Sequence, residues 1–149
     1  MRNDYEWPQV EFLIYNAMRR VVDQDADLVV LLANERSVTH RVAVYLESGF
    51  WGWHVDCEYN RQEGGVIPKT IQIDEKDLNV SPDIIVHRRG PWDAEQENNL
   101  LAVEVKPWWA DVERDLKKLR GYLVGHHYQF AAFVSYELDG SFNIQQVVE

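Results

Sequence analysis

The chain has 149 residues, of which 46% are hydrophobic and 27% charged, with a formal net charge of −10. That size and balance suit one folded domain over residues 1–149 and exclude a disordered chain, and the longest apolar runs are far too short to span a membrane. The single cysteine, Cys57, excludes an internal disulfide and a cysteine-based zinc site within one chain, while the acidic balance argues against a broad basic footprint for duplex nucleic acid.

The opening residues, with Asp4, Glu6 and Pro8, lack the basic-then-apolar pattern of a secretory leader, so a cytoplasmic location is expected. Pro8 suits the first turn of a helix, and Val10, Leu13, Ile14, Ala17, Met18 and Val21 follow at helical spacing. A short second helix is expected to hold Leu28, Leu31 and Leu32. A third runs over about 35–47, with Val38, Val42, Ala43 and Leu46 on one stripe, and Gly49 is placed to end it in a left-handed turn. The period then changes to two. Trp51, Trp53, Val55, Cys57 and Tyr59 alternate with Gly52, His54, Asp56, Glu58 and Asn60, as in a half-buried strand, which places Cys57 inside.

Gly64, Gly65 and Pro68 mark a loop before a short strand over 70–73. Ile84, Ile85 and Val86 form another extended segment, 89–99 a polar connection, and 100–106 a buried strand. Val112, Leu116, Leu119 and Leu123 repeat at helical spacing, with Gly125 as the stop. Strands over 128–136 and 142–148 complete the order around an Asp139-Gly140 turn. The helix between Lys106 and Tyr128 lets the strands on either side of it lie parallel. The expected fold class is α/β, a central mixed sheet flanked by helices, with extra helices on the N-terminal side.

Side chains alternate across a strand, so Glu104 and Lys106 share one face of an otherwise apolar run. Charges there are costly unless they pair or bind an ion. Asp83 begins the preceding apolar run, and adjacent strands would bring its carboxylate close to Glu104. Two carboxylates held together repel, and a hard cation such as Mg²⁺ or Mn²⁺ would take oxygen ligands from both. With Lys106 alongside, the set suits phosphodiester hydrolysis, in which charge develops on phosphate oxygens and a water must be activated. Lys106 would orient or deprotonate that water, or neutralise the developing charge. The alternatives are an exposed cross-strand ion pair for Glu104 and Lys106, and a turn start for Asp83 after Pro82.

Glu58 and Arg61 are placed either to line a substrate groove or to face solvent, and Arg88, Arg89, Lys117, Lys118 and Arg120 are the local cations available to a phosphate backbone. His126 and His127 fit the surface. Trp108 and Trp109, just past Lys106, fit core or interface, or a stack on a base.

Ser81-Pro82-Asp83-Ile84-Ile85-Val86, followed after Asp83 by twenty intervening residues and then Glu104-Val105-Lys106, resembles the active-site motif of the PD-(D/E)xK nuclease superfamily. That superfamily's shared core is a helix, a strand meander, a helix and another strand, the same order as read from Glu35 to Tyr136. The resemblance implies a restriction-endonuclease-like fold and a metal-dependent nuclease, DNA being favoured over RNA as substrate, with Asp83 and Glu104 as ligands for Mg²⁺ or Mn²⁺ and Lys106 as the catalytic lysine. It gives Glu35 the place of the acidic residue that many members contribute from the helix before the strands, although the helix dipole alone also favours a first-turn carboxylate. Asp115, Lys118 and Tyr122 resemble an Asp-x-x-Lys-x-x-x-Tyr pattern found after the lysine strand in several member families, implying site orientation or a phosphate contact. An exposed pair between Asp115 and Lys118 is the alternative. Two other outcomes stay open: a catalytically silent nucleic-acid-binding domain of this fold, and an acidic interaction module whose partner subunit supplies specificity. A homodimer would widen the binding surface.

Overall fold

Val10, Ile14, Ala17, Met18 and Val21 form the buried stripe of helix α1 (Trp7–Gln24) in the computed structural model. The structure describes residues 5–30, 34–58, 70–73, 76–79, 81–90 and 98–149. Pro8 sits in the first turn of α1, where Glu6 and Gln9 cap each other's backbone N–H groups. A short α2 (Ala26–Val30) buries Val29; Leu31 and Leu32, expected beside it, lie outside the described residues. Helix α3 (Glu35–Gly49) starts at Asn34, whose side chain accepts the Arg36 N–H at 2.8 Å, and buries Val38, Val42 and Leu46.

Gly49 does not make the expected left-handed turn. It remains helical, with Leu13 Cδ2 only 3.0 Å from where a Cβ would stand, so its absent side chain lets α1 approach; the positive φ falls on Gly52, at 84°.

The remaining elements are β1 (His54–Cys57), β2 (Thr70–Ile73), β3 (Lys76–Asn79), β4 (Ile84–His87), β5 (Asn99–Pro107), α4 (Val112–Gly125), β6 (Phe130–Tyr136) and β7 (Phe142–Val147). Strands β1-β4-β5-β6-β7 make a five-stranded sheet, and β2 pairs with β3 apart from it. Only β5 and β6 in the larger sheet run parallel, joined by α4 as the crossover; its other pairs are antiparallel. Strand β3 has no counterpart among the sequence expectations, because Lys76, Asp77 and Asn79 are poor strand formers.

Ile84, Val86, Leu101, Val103, Val105 and Val134 pack with α1 and α3 on one face, whereas Ile85, Ala102, Ala131 and Phe133 pack with Leu119, Tyr122 and Leu123 of α4 on the other. Burial on both faces accounts for the near-continuous apolar run of β5, where each fully buried Val or Leu contributes about 1.5–3 kcal/mol. The fold is thus α/β, a mixed sheet flanked by helices, an arrangement compatible with a restriction-endonuclease-like core. Among the described residues, no helix is long and apolar enough to cross a membrane.

The alternation expected over 51–60 survives only in its middle. Trp53 is buried, but Trp51 is 91% exposed on the turn that the Trp53 N–H closes onto the Phe50 carbonyl, and Cys57 is exposed rather than inside. Strand β1 is four residues long and lies at the sheet edge, so pairing and covering reach it from one side only. Tyr59 lies outside the described residues.

Asp56 on this strand meets His87 Nε2 at 2.7 Å and accepts Arg89 Nε at 2.8 Å. Burial pushes its carboxyl up, but the hydrogen bonds and charges of Arg89 and His87 outweigh burial and hold it below the usual carboxylate value. Asp56→Ala is therefore expected to lose about 1–3 kcal/mol in denaturant unfolding near neutral pH. Because the folded value is depressed, this contribution is present above the ordinary carboxylate range and lost as pH falls through the depressed value. Superimposed stability–pH curves for wild type and variant would show that the cluster does not stabilise the fold.

Candidate active site

Asp83 stands one register step before the Ile84–Val103 pair, which sets it across from Glu104 on the neighbouring strand. Its Oδ2 accepts the Val105 backbone N–H at 2.9 Å, pinning the carboxylate to β5. Lys106 Nζ lies 3.5 Å from the same oxygen and 3.7 Å from Glu35 Oε2 in the first turn of α3. Glu104 is fully buried. Lys118 Nζ stands 2.8 Å from Glu104 Oε1 as its charge partner and 3.8 Å from Asp115 Oδ1. Lys118 reaches down from α4, so it is not the exposed partner of Asp115 that helical spacing alone allows; both side chains are largely covered.

Burial pushes the Glu104 carboxyl well above the usual range, the Asp83 charge and a hydrogen bond with Asp83 push it the same way, and Lys118 opposes them. Burial also raises Asp115, against the pull of Lys106 and Lys118. For Lys106 burial acts downward, but the charges of Asp83, Asp115, Glu104 and Glu35 outweigh it and hold the ammonium above the ordinary lysine value. The carboxyl groups of Glu35, Asp83, Glu104 and Asp115 thus face the ammonium groups of Lys106 and Lys118, leaving an excess of acid when all are ionised.

A Mg²⁺ ion is ordinarily held by one or two carboxylates and retains several waters. Asp83 and Glu104 fit that requirement as two carboxylates on neighbouring strands, and the buried Glu104 Oε2 has no hydrogen-bond partner among the described residues. Among the described residues no group of three or more His, Cys, Asp or Glu side chains is placed to hold a metal ion.

Tyr122 is completely buried on α4, so its ring backs the site instead of lining an opening. Burial first, and the Glu104 charge second, push its phenol well up, and its hydroxyl has no hydrogen-bond partner among the described residues. Tyr122→Phe should therefore leave the melting temperature unchanged or raise it, since an unsatisfied buried hydroxyl costs about 1–3 kcal/mol. A clear drop in thermal denaturation would mean that the hydroxyl has a partner in solution.

Glu35, Glu58, Asp83 and Lys106 line a cleft of about 360 Å³ at this end of the sheet. Arg36, His40 and Cys57 line it too, and sequence reasoning did not pick them out as site residues. The signal was available for two of them: Arg36 and His40 are four residues apart on α3, on the side that carries Glu35 into the cleft. Arg36 Nε lies 3.5 Å from Glu58 Oε1, so the cleft has a basic group near its acids. Arg88 and Arg89 do not join Asp83. They follow the far end of β4, where the Arg88 guanidinium lies 4.1 Å over the Trp53 ring and Arg89 pairs with Asp56. Arg61 lies outside the described residues. His126, expected at the surface, is buried, whereas His127 is exposed with a φ of 55°.

No family model matches the chain, and no curated protein matches it. Among solved structures it is similar to the crystal structure of SSO0001, at 15% sequence identity and a TM-score of 0.41. That alignment covers 93% of this chain and 66% of the other.

Proposed function

We propose that this chain is a divalent-metal-dependent phosphodiesterase that cleaves nucleic acid, with DNA preferred over RNA on the strength of the motif resemblance. Glu104 carries the proposal: a fully buried carboxylate beside Asp83 on the neighbouring strand and two residues from Lys106. Lys118 answers part of that buried charge, and a cation shared with Asp83 would relieve the repulsion that remains between the two acids. When bound, that ion would neutralise charge developing on phosphate oxygens and make a water more acidic.

Lys106 acts as a cation. Beside Asp83 and Glu35, it donates to a phosphate oxygen or orients the attacking water. Glu35, at the cleft and 3.7 Å from the Lys106 ammonium, positions that ammonium. The test is incubation of labelled single- and double-stranded DNA and RNA with Mg²⁺ or Mn²⁺. Cleavage that chelation stops supports the proposal; intact substrates under every condition would favour the second reading, an acidic interaction module, which the net charge of −10 suits.

A further inference from the structure

A second concavity, of about 410 Å³, lies on the α4 side of the sheet, beyond the first turn of that helix. Phe133 and Ser135 of β6 line it, and they pair in register with Glu104 and Lys106 of β5. The groove therefore begins one strand spacing, about 4.8 Å, from the candidate site. Its other wall is Gln145 and Asn143 of edge strand β7, opposite Phe133 and Ser135 and both exposed. Trp108 lines its end.

Trp108 and Trp109 are 56% and 52% exposed and meet edge to face, with ring centroids 5.6 Å apart. The turn that displays them is fixed: the Trp108 N–H donates to the Tyr136 carbonyl at 2.9 Å and the Ala110 N–H to the Pro107 carbonyl at 3.1 Å. A large indole displayed to water on a hydrogen-bonded turn, next to amide side chains and a cleft, is the pattern of a stacking platform.

Building on the phosphodiesterase proposal, we infer that this groove receives one unpaired nucleobase, stacked on Trp108 and met at its edge by Asn143 and Gln145, so that the substrate is single-stranded or frayed. Asn and Gln each present a donor and an acceptor, as base edges do. Glu137, also lining the groove, repels phosphate there and leaves the backbone to the Lys106 side. The net charge points the same way. An acidic chain gains little from tracking a duplex by its phosphates, whereas stacking needs no net positive charge and demands a base whose face is free.

The test is fluorescence anisotropy in EDTA, so that binding is read without cleavage, using a labelled oligothymidylate, an abasic strand of equal length and a blunt duplex. The oligothymidylate should bind at least about tenfold more tightly than the abasic strand, and Trp108→Ala should remove that advantage while leaving abasic binding and the melting temperature unchanged. Trp108→Phe should retain part of it. Equal binding of the two strands, or equal weakening of both in Trp108→Ala, would overturn the inference, as would a Trp108-dependent dimer in sedimentation without nucleic acid, which would assign the groove to a second copy. Cleavage of duplex without any thymidylate preference would remove this inference and leave the phosphodiesterase standing. Thymidylate preference without cleavage of any substrate would do the reverse.

Discussion

Lys106→Ala is expected to lower metal-dependent cleavage by about a hundredfold or more, the scale of losing a charge donor aimed at the transition state. Lys106 and Asp83 are largely covered and the variant leaves the carboxylates facing one ammonium fewer, so the melting temperature should fall without loss of the fold. Circular dichroism and a melting curve beside the cleavage assay separate lost chemistry from lost fold. Raising Mn²⁺ should not restore the activity, because no metal-bearing carboxylate has been removed. Equal cleavage by the variant would take the chemical basis from the site.

Saturating Mg²⁺ or Mn²⁺ is expected to raise the melting temperature, because the ion would bind the folded arrangement of Asp83 and Glu104 and the unfolded chain has no such pair. At a metal concentration about a hundred times Kd the gain is about 2.7 kcal/mol, which for a chain of this length amounts to about 5–10 °C. Asp83→Asn and Glu104→Gln should each abolish most of that shift and flatten a calorimetric titration. Cleavage in Glu104→Gln should recover in part at high Mn²⁺, since one carboxylate and the amide oxygen remain as ligands. A wild-type protein whose melting temperature ignores both ions would sink the metal assignment.

The placing of Asp83, Glu104 and Lys106 was readable from the chain because it depends on near-local rules. Alternation decides which residues of β5 share a face, and the antiparallel neighbour β4 brings Asp83 beside it. Lys118 needed a tertiary fact, the docking of α4 over β5, so helical spacing offered only its pairing with Asp115 and not its 2.8 Å approach to Glu104. Arg88 and Arg89 are close to Asp83 in sequence but not in space, because an extended strand carries each residue about 3.3 Å onward. Gly49 and Cys57 were misread for the same kind of reason. What each meets is set by α1 and by the edge position of β1, which no pattern within their own segments reports.

Residues early and late in the chain also hold one another. Gln129 Nε2 donates to the Tyr5 carbonyl at 3.2 Å, Tyr15 packs on Phe142 at 5.4 Å between ring centroids, and a Cβ on Gly140 would lie 3.0 Å from Val22. On a ribosome that adds about 5–20 residues per second, the side of α1 that meets β7 waits several seconds for a partner. During that interval α1 can settle on α3 alone, with Tyr15 and Val22 still uncovered. Synthesis therefore passes through an open stage that a stalled or shortened nascent chain would not leave, and there a chaperone or protease would find its opportunity.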